Sequence, residues 1–322
     1  MNDAKKDDPM IGAVLGEDFR IVKLAGFGGF ARVYVAEQLS VGKRKVAVKV
    51  LHALHAESGK AAVAALRREA TYLAMLRSPC FPRVIRTGTT PNGLPYFVME
   101  YVVGRTLEAI VNDLGAMKLT RALGVLDEVC EGLSEMHARD IIHRDIKTGN
   151  IIVEDAPAGR YHAKMLDLGS ARSSYEADPV GQGGPRQVGS PPYLAPETAV
   201  SGATSELSDI YSLGAVAYEL VCGVRAIQVK DTSPEGYLAY LRSDQPIPTY
   251  RIATMQPSVP EPVEAAIHRA LERDPKKRFQ SVMEFRLALI EAASWAPQGR
   301  EPKAWRDRLG SLLSRLVPKK GA

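Results

Sequence analysis

The stretch Ile142-His143-Arg144-Asp145-Ile146-Lys147-Thr148-Gly149-Asn150 holds a carboxylate, a lysine two residues on and an amide five residues on. Asp145 can orient an attacking hydroxyl and accept its proton. Asn150 offers the hard oxygen that Mg²⁺ prefers. His143, beside apolar residues, reads as a packing residue. A second acid stands in Met165-Leu166-Asp167-Leu168-Gly169. Asp167 after an apolar run is a suitable Mg²⁺ ligand, although Asp and Gly also make ordinary turns. Lys49 ends Val46-Ala47-Val48-Lys49, and a lysine on an apolar strand costs desolvation unless an anion meets it. Glu69, in Arg67-Arg68-Glu69-Ala70, is a candidate anion. Taken singly, Lys49 also fits a strand lysine facing water, and Glu69 a solvated helix charge. Finally, Gly26-Phe27-Gly28-Gly29-Phe30-Ala31-Arg32-Val33 can bring backbone N–H groups close to phosphate oxygens. It also fits a plain hairpin turn. It lacks the Lys-Ser/Thr ending of a P-loop, and a strand rather than a helix follows it, which excludes a Rossmann fingerprint.

The elements that position these groups are legible from periodicity. Phe19–Leu24 and Arg32–Glu37 read as strands flanking the glycine-rich turn, and Arg44–Leu51 alternates basic and apolar residues. Val63, Leu66, Ala70, Leu73 and Leu76 recur at helical steps, and Pro95–Tyr101 reads as a short apolar strand. Apolar runs, Ile141-Ile142 and Ile151-Ile152-Val153, flank the Asp145 loop. After Val102 helices dominate: a stripe Ala122, Leu126, Val129, Leu133, Met136, then Ser208–Val221, Pro262–Glu272 and Val282–Ala293. The Asp140–Pro196 stretch between the first two is loop-rich, and specific residues gathered in loops point to function. The change of character near Glu100–Gly104 predicts a strand-rich lobe followed by a helical one, with a ligand cleft between them.

The chain has 322 residues, 45% hydrophobic and 25% charged, which is globular composition and excludes disorder. A net charge of +5 without a clustered basic face argues against a nucleic-acid partner. Cys80, Cys130 and Cys222 are far apart and lack metal-ligand spacing, as small apolar groups in a reducing compartment would be. Met1–Pro9 is polar and leads into no apolar core of a signal peptide, and Leu213–Val224 is too short to span a bilayer and carries Glu219. The expected location is the cytoplasm.

In this order the motifs resemble the eukaryotic-type (Hanks-type) serine/threonine protein kinases, over about residues 19–293. The wording Gly28-Gly29-Phe30, Met99-Glu100-Tyr101 and Asp209-Ile210-Tyr211-Ser212-Leu213-Gly214 is similar to bacterial members. The resemblance implies an α+β, protein-kinase-like bilobal fold: a small, mainly antiparallel β N-lobe with one key helix (18–102) and a larger, mainly helical C-lobe (103–293). An N-terminal extension (1–17) and a basic tail (294–322) would flank it. It further implies transfer of the ATP γ-phosphate to Ser/Thr of protein substrates, this chain included. Gly26, Phe27, Gly28 and Gly29 would cover the phosphates, and Lys49, paired with Glu69, would hold the α/β-phosphates. Asp145 would be the base and Lys147 would neutralise the transferring phosphate. Lys147 also resembles the Ser/Thr-specific rather than the Tyr-specific enzymes. Asn150 and Asp167 would bind Mg²⁺, with Mn²⁺ as a substitute. Val33, Ala47 and Ile152 would sandwich the adenine, Met99 would be the gatekeeper, and the backbone of Glu100–Val102 would bond the adenine edge. Glu197, at the end of Gly189–Glu197, would pair with Arg278, and Asp209 would brace the catalytic loop. Read without the resemblance, Asp209 also fits a helix-start residue and Arg278 a solvated one.

The departures are small. Ala31 replaces the third loop glycine, Leu168 a common Phe, Thr148 a usual proline, and Ser190 a usual Thr whose hydroxyl it keeps. By the same resemblance Arg144 implies a phosphate on the activation segment Asp167–Glu197, with Ser170, Ser173, Ser174 and Tyr175 as candidates and Ser173 or Ser174 expected; read alone, the segment equally fits a serine-rich solvated loop. In the tail, Trp305, Leu309, Leu312, Leu313 and Leu316 fall at helical spacing among basic residues. Such a segment can dock on its own domain, a partner or an anionic membrane surface, or fray. Two other functions fit the same architecture: a kinase-shaped scaffold without turnover, and a small-molecule phosphotransferase of related fold.

Overall fold

The structure, a computed structural model, describes residues 8–27, 31–52, 60–156, 160–174 and 189–294. Gly28, Gly29, Tyr175 and the basic tail lie outside the described residues. Eleven strands are described: β1 (Val14–Leu15), β2 (Phe19–Phe27), β3 (Ala31–Gln38), β4 (Arg44–Leu51), β5 (Val84–Thr89), β6 (Pro95–Glu100), β7 (Arg105–Thr106), β8 (Ile141–Ile142), β9 (Ile151–Ala156), β10 (Arg160–Met165) and β11 (Arg172–Ser173). With the helices below they give the expected α+β class. The chain divides into two compact units, Met1–Ala109 with Glu131–Ser190 and Ile110–Cys130 with Pro191–Ala322.

In the first unit, β1–β6 form an antiparallel sheet in the order β1-β2-β3-β4-β6-β5. Strand side chains alternate between faces, so each residue belongs either to the core or to the other side. Tyr34, Ala36, Val46, Val48, Val50 and Val98 lie in the core with Leu15, Phe19, Ile21 and Tyr96. The alternate positions face the other way. Val33 pairs with Lys49 and Ala47 with Met99, which puts these four residues on one common face. Helix Lys60–Met75 buries Leu66, Glu69, Ala70, Tyr72 and Leu73, matching the stripe read from sequence. Val84–Thr89, which periodicity does not reveal, is a short edge strand with exposed polar residues, where alternation has little burial to enforce.

Two smaller sheets hold the loops. β9 pairs with β7 and β10, and β8 pairs with β11. The loop before β9 and the loop after β10 therefore emerge side by side: Ile151 pairs with Met165, and Leu166 N donates to Asn150 O at 2.7 Å.

The second unit is helical. Glu206–Cys222 starts with a capping box between Ser205 and Ser208 and ends at Gly223 in the left-handed region (φ 74°). Nearly all its residues are buried, as expected of a helix that is apolar all round. Glu219 is accommodated because the Tyr193 hydroxyl donates to it at 2.6 Å. No helix among the described residues is long and apolar enough to cross a membrane. Helices Glu261–Ala270 and Val282–Ser294 match the last two sequence stripes to within two residues at each end.

Arg278 anchors this unit. It is 0% exposed, and its guanidinium donates to Glu197 twice (Nη1–Oε1 and Nη2–Oε2, both 2.7 Å), to the Glu272 carbonyl (2.7 Å), to the Leu207 carbonyl (2.8 Å) and to the Arg273 carbonyl (3.2 Å). That uses the full donor set of the side chain and rules out a solvated arginine. Removing one partner of a buried pair strands the other charge. Glu197→Ala is expected to lower unfolding stability by about 3 kcal/mol in urea titrations, with unchanged m-value.

Candidate active site

Lys49 joins three elements of the first unit. β4 delivers it to the face opposite the core, helix Lys60–Met75 presents Glu69, and the loop after β10 presents Asp167. Lys49 Nζ is 2.7 and 2.8 Å from the two Glu69 oxygens and 2.7 Å from Asp167 Oδ1. Lys49 and Glu69 are both buried, so the solvated alternatives do not hold for either. Burial works against the Lys49 charge, but Glu69 and Asp167 outweigh it and raise the ammonium above its ordinary range. The Lys49 ammonium in turn holds the Asp167 carboxyl down to about 2, helped by a bond from Gly169 N at 3.2 Å.

Asp167 sits in the left-handed region at φ 61°, and Arg144 does so at 72°. For residues with a Cβ this backbone is strained, and such strain gathers at functional sites. A Cβ at Gly169 would fall 2.9 Å from Asp167 Oδ1, so a larger residue there would have to displace that carboxylate.

Asp145 organises a second cluster in the same unit. Its Oδ2 accepts from Lys147 Nζ (2.8 Å) and Asn150 Nδ2 (3.0 Å), and its Oδ1 accepts from the Ser190 hydroxyl (2.9 Å). Asn150 Nδ2 also donates to the Asp145 carbonyl at 2.9 Å. Lys147 Nζ further donates to Ser190 Oγ at 2.8 Å. A serine hydroxyl thus lies against both the acid and the ammonium. His143 is buried, and its Nδ1 accepts from Asp145 N at 3.4 Å, a packing and bracing position.

The apolar candidates are less tightly gathered. Val33, Ala47 and Met99 share the Lys49 face of the sheet. Ile152 is on β9, where its side chain lies beside Gly104, and Val102 is buried. Gly26 and Phe27 end β2, with Phe27 69% exposed. Glu100 accepts from Lys164 Nζ at 3.0 Å. Sequence reasoning assigns Lys164 no role, because a single lysine in His162-Ala163-Lys164-Met165 carries no distinguishing pattern.

Comparison with known proteins gives a match to the protein kinase domain family over residues 19–286. The chain is 36% identical to the serine/threonine-protein kinase pkn2 of Myxococcus xanthus over 286 residues, covering 87% of this chain and 33% of that protein. It is 34% identical to the serine/threonine-protein kinase PknB of Mycolicibacterium smegmatis over 293 residues, covering 90% of this chain and 44% of that one. The chain therefore spans less than half the length of these relatives. Among solved structures, a doubly substituted Mycobacterium tuberculosis PknI kinase domain superposes with TM-score 0.64 at 20% identity, covering 88% of this chain and 98% of that one. This establishes a protein-kinase fold.

The low Asp167 value carries a pH dependence. A carboxyl depressed on folding stabilises the protein above its unfolded value of 3.8, and that stabilisation is lost as pH falls through about 2. With 47% of the Asp167 side chain exposed, solvent screening reduces the effect to about 1 kcal/mol. Asp167→Asn is expected to narrow the stability difference between pH 6 and pH 2 by about that amount in denaturant titrations.

Proposed function

As the chain belongs to the protein kinase family, we propose that it is a serine/threonine protein kinase that transfers the γ-phosphate of ATP to hydroxyls of protein substrates, itself among them. The observation that carries this reading is the Lys49 ammonium held between Glu69 and Asp167, residues 20 and 118 positions away. A buried cation with two anionic neighbours is poised to receive phosphate oxygens. Kinases of this family use ATP and a divalent metal, and the residues here suit Mg²⁺. Asn150 spends its Nδ2 on Asp145, which leaves the amide oxygen to face a cation, and Asp167 adds a carboxylate. Among the described residues no group of three or more His, Cys, Asp and Glu could hold a metal. Two protein ligands suit Mg²⁺, which keeps waters and takes phosphate oxygens for the rest.

When bound, the metal supplies charge neutralisation for the phosphates. The chain's own groups do the rest. Lys49, fixed by Glu69, takes phosphate oxygens and aligns the nucleotide, while the Gly26–Val33 hairpin covers it. Asp145 orients the substrate hydroxyl and receives its proton as the oxygen bonds to the γ-phosphorus. The bond to the β-phosphate oxygen breaks and ADP leaves. Lys147 offsets the charge that develops on the transferring group. Val33, Ala47, Met99 and Ile152 supply apolar walls for adenine, and the Glu100–Val102 backbone its polar edge. The Ser190 hydroxyl, already bonded to Asp145 and Lys147, supports a serine or threonine acceptor. The Glu197–Arg278 pair, with its arginine fully buried, favours a protein kinase over a small-molecule phosphotransferase.

Radiolabelled ATP with a generic basic protein, and with the chain alone, tests this. Lys49→Met and Asp145→Asn are each expected to lower transfer by about 100-fold or more, with the fold retained by circular dichroism. Full activity in Asp145→Asn, or transfer to aminoglycosides or choline in preference to protein, would contradict the reading. Within the activation segment, Ser173 is held in β11 opposite Ile141, whereas Ser174 is exposed and its hydroxyl donates to Asp140 O at 3.0 Å. Mass spectrometry after incubation with ATP is expected to find phosphate on Ser174 rather than Ser173.

A further inference from the structure

Residues 8–16 precede the segment matched to the family, yet they are built into the sheet. Gly12 N donates to Ile21 O and Ile21 N to Ala13 O, both at 2.9 Å, and Val14-Leu15 continues as β1 against β2. Leu15 lies in the core and Met10 packs against it. At the head of this strap the Asp8 side chain is buried, with 4% of it exposed. Its Oδ2 accepts from Arg32 Nη1 at 3.1 Å and from the Tyr34 hydroxyl at 3.0 Å, and its Oδ1 accepts from Met10 N at 3.0 Å. Arg32 Nη2 donates to His52 Nε2 at 3.0 Å, and the guanidinium carbon lies 5.5 Å from the centre of the Phe27 ring.

The place of this cluster gives it significance. Arg32 pairs with Phe27 in the last described register pair of β2 and β3 before the glycine tip, and with Val50 on the other side. Tyr34 belongs to the core face, so Arg32, two residues away, shares that face and stands opposite the Lys49 side. Asp8 thus grips the root of the glycine-rich hairpin from behind. Apolar packing of Met10 and Leu15 already fastens the strap, so attachment alone does not call for a buried carboxylate, which is costly unless paired. Binding a ligand against a hairpin restricts the positions that its strand ends, here Phe27 and Arg32, can take. A charge-assisted clamp at the root restricts them beforehand.

We infer that Asp8 is a positioning residue: through Arg32 it pre-orders the glycine-rich hairpin and so strengthens binding of the nucleotide phosphates. This rests on the nucleotide reading of the hairpin above. Its signature separates phosphates from adenine and binding from chemistry. In Asp8→Ala the KM for ATP is expected to rise about tenfold, with kcat at saturating ATP within about twofold, because the Asp145 cluster is untouched. Affinity for ADP should fall similarly, and affinity for adenosine should not change. Arg32→Met should reproduce the effect, and the double variant should be no worse than Arg32→Met alone. If Asp8→Ala does not fold, Asp8→Asn, which keeps the shape and loses the charge, is expected to show about a threefold rise in KM. Equal losses for ATP and adenosine, or unchanged KM in folded Asp8 variants, would overturn the inference alone. A wild type that binds ATP no better than adenosine would overturn the nucleotide reading and the inference with it.

Discussion

An ammonium cannot sit in a protein interior without anions around it, and the Lys49 site is built to satisfy that demand. Glu69 fixes the helix against the sheet, and Asp167 fixes the loop after β10 against both. The second anion is the more informative. Asp167 keeps a half-exposed carboxylate and a left-handed backbone, so it is held by the lysine in a strained conformation rather than buried as a structural partner. In the function proposed, the same charge that settles the site receives a ligand with negative oxygens.

Much of this was legible in the sequence because it depends on local rules. Alternation in Arg44–Leu51 placed Lys49 on a strand, the three- and four-residue steps around Glu69 placed it on a helix face, and the apolar runs beside Asp145 and Asp167 placed both acids in loops at strand ends. Partnership is another matter. Whether Lys49 met an anion or water, and whether Arg278 was solvated, turned on contacts across 20 and 81 residues, which no local period encodes. The resemblance supplied those pairings where composition and spacing left them open. It gave no hint of Asp8 or Lys164, because an acid in a polar leader and a lone strand lysine look like ordinary surface residues until their partners are seen.

The sheet divides its labour by face. One side carries the apolar core, with Tyr34, Val46, Val48 and Val98; the other carries Lys49, Val33, Ala47 and Met99. A period of two keeps the assignments separate along each strand, so packing can be strengthened behind the site without touching its chemistry. The Asp8–Arg32 cluster exploits this separation. It holds Arg32 on the core-side face of β3, opposite the face that carries Lys49.

The most direct test of the account is the titration of the Lys49 side chain, followed by nitrogen NMR of its ammonium in the ligand-free protein with Lys49→Arg as the assignment control. The titration is expected above the ordinary lysine value of 10.5, because two carboxylates outweigh burial. A Lys49 that titrates at or below that value would mean that Glu69 and Asp167 do not converge on it, and the site would lose its organising charge.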